Sequence, residues 1–318
     1  MDIAAKEILK KIRKADIITI FGHINPDGDC YGSGCALREI LRDNFKGKKI
    51  YTLGYGLEYL YDRLTTYDVI EDEVIKNSLA IVCDVSELNR VSDQRVRLAK
   101  EIVKIDHHIE SVPFEGTVGW VDCEAIACCQ MIAEFAFYFN FKVSKLAAEL
   151  MYLGIVTDSG RFRYEPTNAV THLVVSKLYE LGIDSKSLFD ILYQSDVNVV
   201  KYQALLVSNF KVTKNHVIYC FADQHDYEQF GLRFEDISKN VNVLGGIRGC
   251  PLWLLCTKDP KGFIRVEFRS NGLDVQKIAK KYGGGGHKCA AGCRLDNWTW
   301  DQCMAIVDDL DRLAEENK

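Results

Sequence analysis

Five short apolar runs, at residues 17–21, 49–53, 79–83, 101–105 and 117–121, govern what the first half of this chain can fold into. Each is rich in β-branched residues and reads as a strand, the first of them buried on both faces. Helical spacing separates them, as in residues 35–41, and helices follow over 125–139 and 144–157. The alternation predicts an α/β fold with a doubly wound, mostly parallel sheet. Parallel strands bring their carboxyl ends to one edge, which is where open α/β sheets keep their chemistry.

Three of the five runs end in acidic or imidazole groups. The first leads into Phe21-Gly22-His23-Ile24-Asn25-Pro26-Asp27-Gly28-Asp29, the third stops at Asp84, and the fourth at Asp106-His107-His108. Asp158 adds a carboxylate at the end of the helix predicted over 144–157. A single Asp after a strand is ordinarily a turn or cap residue, and the loop after residue 21 taken alone is equally well a polar turn with Asp caps. Three strand ends doing the same thing is a different matter. Carboxylates gathered on one edge repel by about 4 kcal/mol per close pair at an effective dielectric near 20. Protons or cations among them relieve that repulsion. A mixed Asp/His set without thiolates favours Mn²⁺ over a structural zinc site.

The second half has a different texture. Residues 217–221, 252–257 and 263–268 read as strands, the last two joined by Asp259-Pro260-Lys261-Gly262, which carries hairpin chemistry. A helix over 275–282, the run Gly283-Gly284-Gly285-Gly286-His287, a strand near 290–295 and a final acidic helix complete the chain. We therefore expect a catalytic domain over 1–185, a helical linker over 186–210 and a smaller α/β domain with a mixed sheet over 211–318. The glycine run is either a helix cap with its loop or a nest of backbone N–H groups for an anion. His287, Lys288 and Arg269 put positive charge beside it. Arg161 and Arg90 are weaker candidates for ligand contact and read as ion-pair formers at the sheet edge.

With 318 residues and a net charge of −5, the chain lacks the basic footprint of an obligate duplex-DNA binder. No apolar run reaches membrane-spanning length, and the amphipathic start is not a signal peptide, so a cytoplasmic location is expected. The twelve cysteines form no C-x-x-C pair and read as reduced, small hydrophobes.

The ordered set His23/Asp27/Asp29, Asp84, Asp106-His107-His108 and Asp158-Ser159-Gly160 resembles the DHH phosphoesterase family. The stretch Gly283-Gly284-Gly285-Gly286-His287-Lys288-Cys289-Ala290-Ala291-Gly292 resembles the glycine-rich motif of that family's associated C-terminal domain. Five motifs in order, spanning nearly the whole chain, make the likeness specific, and it is strongest to the branch of oligoribonucleases and pAp phosphatases (nanoRNases).

The resemblance implies two Mn²⁺ ions, one held by His23, Asp27 and Asp84, the other by Asp29, Asp84, His107 and Asp158. Asp84 would bridge them, Asp106 would orient the imidazoles, and His108 would face the scissile phosphate. Arg269, His287 and the backbone at Gly284, Gly285 and Gly286 would hold the substrate's terminal phosphate or base, with the active site in the cleft between the domains. The implied substrates are short RNA and 3′-phosphoadenosine 5′-phosphate. Cyclic di-AMP or its linear product pApA, single-stranded DNA, and nucleotide binding without catalysis are alternatives. A homodimer is one candidate assembly. The sequence departs from the family around Ala127-Cys128-Cys129-Gln130, where small hydroxyl residues and a Glu are more usual.

Overall fold

The computed structural model describes residues 2–108, 111–237 and 240–317; the side chain of His287 lies outside the described residues. The chain forms two compact units, Met1–Tyr193 and Gln194–Lys318.

The first unit begins with α1 (Ile3–Lys14), whose Ala5, Ile8, Leu9 and Ile12 form a buried stripe at helical spacing while the lysines face out. Then come β1 (Ile17–Phe21), α2 (Gly28–Asn44), β2 (Lys49–Leu53), α3 (Asp72–Lys76), β3 (Leu79–Cys83), β4 (Glu101–Asp106) and β5 (Val118–Val121). Helices α4 (Cys128–Tyr138), α5 (Lys145–Asp158), α6 (Ala169–Glu180) and α7 (Ser185–Tyr193) close the unit. The five strands form one all-parallel sheet in the order β2-β1-β3-β4-β5. Both faces are covered, and β3 divides its side chains accordingly. Leu79, Ile81 and Cys83 pack into the helix-backed core, while Ala80 and Val82 pack into the core on the other face. A strand buried on both faces must be apolar at every position, which is why these runs do not alternate.

With every strand parallel, the chain's progress across the sheet changes sense between β1 and β3. A crevice opens outside the carboxyl ends at such a switch point. The loop after β1 carries His23, and the residue after β3 is Asp84.

The second unit opens with α8 (Val197–Asn209), so the stretch 186–210 is shared by α7 at the end of one unit and α8 at the start of the other. Next are β6 (Lys211–Val212), β7 (Val217–Ala222), α9 (Gln224–Glu228), β8 (Leu252–Lys258), β9 (Phe263–Ser270), α10 (Gln276–Lys281), β10 (Gly285–His287), β11 (Ala290–Asp296) and α11 (Trp300–Glu315). They build a six-stranded sheet, β10-β11-β9-β8-β7-β6, antiparallel except where β7 pairs with β8. The β8–β9 turn is the expected one: Asp259 N–H donates to the Phe263 carbonyl at 2.8 Å, and Gly262 takes φ +93°. Among the described residues no helix is long and apolar enough to cross a membrane. All twelve cysteines are unbridged, and ten of them are buried.

Candidate metal centre

The loop after β1 is pinned on both sides before it delivers His23. Ile24 N–H donates to the Arg90 carbonyl at 2.8 Å, and Ser92 N–H donates to the Gly22 carbonyl at 2.9 Å. His23 Nδ1 lies 2.8 Å from the Ile24 carbonyl, which fixes that nitrogen as the protonated one and leaves Nε2 as the donor atom for a cation. Nε2 is 3.4 Å from Asp84 Oδ2 and 3.8 Å from Asp27 Oδ1. Asp27 also caps α2: its Oδ1 accepts from the Asp29 and Cys30 N–H groups at 3.1 and 3.0 Å.

Asp84 stands at the centre. It is buried, adopts φ +59°, and its N–H donates to the Ile105 carbonyl at 2.9 Å. Its two oxygens face two different sides. Oδ2 looks at His23, whereas Oδ1 lies 3.3 Å from His107 Nε2 and 3.7 Å from His108 Nδ1. Oδ1 is buried and accepts no well-directed hydrogen bond among the described residues. A buried carboxylate oxygen without a bond is costly unless a cation or proton meets it.

On the far side, His107 Nε2 sits 3.3 Å from Asp158 Oδ2 and 3.7 Å from Asp29 Oδ2, while its Nδ1 is 3.2 Å from the Ala125 carbonyl. Candidate ligand atoms of Asp29, His107 and Asp158 all lie within 4.8 Å of one another, as do those of Asp84, His107 and His108. Oxygen and imidazole donors at these separations suit a divalent cation of hard or borderline character. The electrostatics agree. Burial raises Asp29 to about 7, with the Asp84 charge adding to it. Asp158 is likewise raised by burial and by Asp29. Burial opposes protonation of His23 and His107, yet their carboxylate neighbours outweigh it and hold both imidazoles well above the usual range. Burial pushes Asp84 up, but the two imidazoles win and hold it below the usual carboxylate range. The protein thus stores protons where cations would sit.

Asp106 was expected to orient both imidazoles; it holds one. Its Oδ1 accepts from His108 Nδ1 at 2.7 Å and from the His107 backbone N–H at 3.0 Å. The His107 ring lies beside the His108 ring, 4.9 Å between their centres, but its Nδ1 meets the Ala125 carbonyl instead of Asp106.

Five further residues contribute that the sequence pattern does not single out. Lys104 is fully buried, donates to the Ser86 and Val112 carbonyls at 2.7 and 2.8 Å, and lies 3.4 Å from Asp106 Oδ2. Ser111 Oγ donates to the same carboxylate. A lysine two residues before Asp106 in a strand shares its face, and that period-2 signal marks Lys104. The Cys128 and Cys129 N–H groups, at the start of α4, bind the two oxygens of Asp29. Cys30 Sγ falls within 4.8 Å of candidate ligand atoms of His23 and Asp84.

In the second unit the glycine run divides. Gly283 N–H donates to Lys280 and Gly284 N–H to Ala279, ending α10, while Gly285–His287 forms an edge strand on β11. A Cβ on Gly284 would lie 2.1 Å from the Gly292 carbonyl oxygen, and one on Gly286 2.6 Å from that of Ala290. Close strand approach therefore already requires these glycines. Arg269 pairs in register with Ala290 on β11 and donates to the Phe268 carbonyl at 2.9 Å.

Residues 17–155 match the DHH family, N-terminal domain, and residues 214–316 match the DHHA1 domain. A bifunctional oligoribonuclease and PAP phosphatase NrnA of Bacillus subtilis is 34% identical over 98% of this chain and 99% of its own. The chain belongs to the DHH phosphoesterase family. As a DHH phosphoesterase it is a hydrolase of phosphoester bonds, in a family whose members depend on metal ions. The cyclic-di-AMP phosphodiesterase PdeA of Listeria monocytogenes is 24% identical over 93% of this chain but only 47% of its own length. An exopolyphosphatase-related protein from Bacteroides fragilis shares the fold, with a TM-score of 0.86, 22% identity, and 98% and 96% of the two chains covered.

Proposed function

We propose that this DHH phosphoesterase is a cytoplasmic, Mn²⁺-dependent enzyme that hydrolyses short oligoribonucleotides to mononucleotides and 3′-phosphoadenosine 5′-phosphate to AMP. The observation that carries the metal reading is the division of Asp84, one oxygen 3.4 Å from His23 Nε2 and the other 3.3 Å from His107 Nε2. His23, Asp27 and Asp84 would hold one ion, and Asp29, Asp84, His107 and Asp158 a second. Two such cations, when bound, supply Lewis acidity towards a phosphoryl oxygen and lower the pKa of an attacking water. The chain's own residues do the rest. Asp84 keeps the two ligand sets together, and Asp29 is braced by a helix N-terminus. His108 donates its Nδ1 proton to Asp106, which directs its other nitrogen to a phosphoryl or leaving oxygen. No protein nucleophile is required. Arg269, His287 and the backbone at Gly284, Gly285 and Gly286 are the proposed grip on the substrate's far phosphate or base.

Substrate choice is supported by relatives named as NrnA at 34% and 32% identity across more than nine-tenths of this chain. Cleavage of cyclic di-AMP or pApA is a second reading, favoured by the likeness to PdeA. Metal-stripped protein assayed with and without Mn²⁺ on di- to decanucleotides, pAp and cyclic di-AMP tests both. We expect Mn²⁺-dependent release of mononucleotides, fastest from the shortest RNA. Full activity under chelator rejects the metal reading, and a preference for cyclic di-AMP transfers the assignment to the second.

A further inference from the structure

Beside Asp158 the chain makes an unusual turn. Arg161 and Phe162 both take φ +64°, in the left-handed region that bulky residues avoid. The turn is fixed by Arg161 N–H donating to the Val156 carbonyl at 2.9 Å and Tyr164 N–H donating to the Ser159 carbonyl at 3.0 Å. Its effect is to turn out Arg161 and Tyr164. The Tyr164 ring lies so close over Gly160 that a Cβ there would be 2.3 Å from it.

Arg161 does not form the ion pair expected from sequence. Among the described residues no carboxylate lies within 4.0 Å of its guanidinium, which sits instead 4.9 Å from the centre of the Tyr193 ring. Arg163 lies 5.7 Å from the centre of the Tyr164 ring. Burial raises the Tyr193 phenol, and Arg161, Tyr164, Arg163 and Tyr59 act on it electrostatically. Tyr55 stands by the other ligand loop, its hydroxyl accepting from Asn25 N–H at 3.3 Å. These tyrosines are 39–58% exposed, an expensive way to spend aromatic surface unless something covers it.

We infer that Tyr59, Tyr164 and Tyr193, with Arg161, form a nucleobase platform on the Asp158 side of the metal centre. The platform stacks a base of a short single-stranded substrate while the neighbouring phosphate meets the metals. Aromatic faces interleaved with arginine are what sequence-tolerant binding of single strands uses. Phosphate needs only charge, so aromatic rings beside a phosphoester centre point to a substrate that carries bases. This inference rests on the proposed nucleotide substrate and adds where its base is held.

Equilibrium dialysis under chelator, with 5′-phosphorylated tri-adenylate and its abasic counterpart of equal charge, tests it. Wild-type protein should bind the base-bearing ligand about tenfold more tightly or better. Tyr193→Leu, Tyr59→Ala and Arg161→Gln should each bring that ratio towards one while the melting temperature holds. Tyr59 is 58% exposed, so its variant keeps the comparison readable should Tyr193→Leu loosen the fold. Equal affinity of wild type for both ligands, or a preference that survives in all three variants, overturns the platform. Cleavage of tri-adenylate by wild type with Mn²⁺ is measured separately. Its absence rejects the proposed activity, whereas the binding ratio still decides the platform.

Discussion

Asp29 binds the start of helix α4 through both of its oxygens: Cys128 N–H donates to Oδ2 at 2.6 Å and Cys129 N–H to Oδ1 at 2.8 Å. A carboxylate at a helix N-terminus satisfies donors that have no partner within the helix. The same group is a proposed metal ligand, so it has a structural duty that Asp84 lacks. Asp29→Ala should destabilise even the metal-free protein, by about 2–4 kcal/mol, because two buried N–H groups lose their acceptor. Urea unfolding under chelator measures this, and an unchanged midpoint would remove the structural role.

Asp84→Asn is the complementary case. Asparagine tolerates the left-handed backbone that Asp84 adopts at φ +59°, so the turn after β3 should survive. What is lost is the charge shared by His23 and His107. Turnover should fall below about one tenth of the parent's, and bound metal should fall with it. A native circular dichroism spectrum together with metal analysis separates this from unfolding; a variant that keeps both ions contradicts the bridge.

His108 and His107 should behave differently although they are adjacent. His107 Nε2 faces three carboxylates, whereas His108 is held by Asp106 and makes its nearest approach to Asp84 at 3.7 Å. His108→Ala should lower kcat by about 10²-fold with metal content retained. His107→Ala should lose metal. Equal loss of metal from both variants would collapse the distinction.

Proton release should accompany metal binding. His23 and His107 are raised by their carboxylate neighbours against the effect of burial, so both are protonated at pH 7 in the metal-free protein. A cation must displace those protons, and Asp158, raised by burial, adds to them. Apparent affinity should therefore rise with pH, and titration calorimetry in buffers of different ionisation enthalpy should count about two protons or more per protein. A binding enthalpy independent of buffer would refute the charged-imidazole picture.

The strands, their parallel arrangement and the acidic strand ends were legible because each is a local pattern: an apolar run too short for a helix, followed by a polar stop. The braces were less so. That Asp106 serves one imidazole depends on the turn of the backbone after β4, and that the Ala125 carbonyl serves the other depends on a tertiary contact. Gly284 and Gly286 read either as a helix cap with its loop or as a nest for an anion. Their crowding against Gly292 and Ala290 appears only once β10 is laid on β11. Lys104 left a trace in the strand period, but a lysine in an apolar strand has many readings until its counterion is seen.

Two remote stretches meet beside the proposed ligands. Asp29 is on α2 and Asp158 ends α5, and the two helices pack closely because glycines line their contact. A Cβ on Gly32 would lie 2.5 Å from the Leu150 carbonyl oxygen, and one on Gly154 2.3 Å from Cys129 Sγ and 2.6 Å from Asp29 Oδ1. The obstacle at Gly154 includes the proposed ligand itself. Gly154→Ala must therefore shift Asp29 or part the helices, although alanine favours a helix by about 1 kcal/mol over glycine. We expect a net loss of about 1–3 kcal/mol in stability from overpacking and a fall in metal affinity of about tenfold or more. Gly34→Ala, on the same helix, is the contrast. Its Cβ would meet the Thr52 methyl at 3.3 Å and an Ile20 methyl at 3.6 Å, away from every proposed ligand. That variant should bind metal like the parent. Equilibrium dialysis of both against Mn²⁺ decides the matter: if Gly154→Ala also binds like the parent, the glycine contact does not set the position of Asp29.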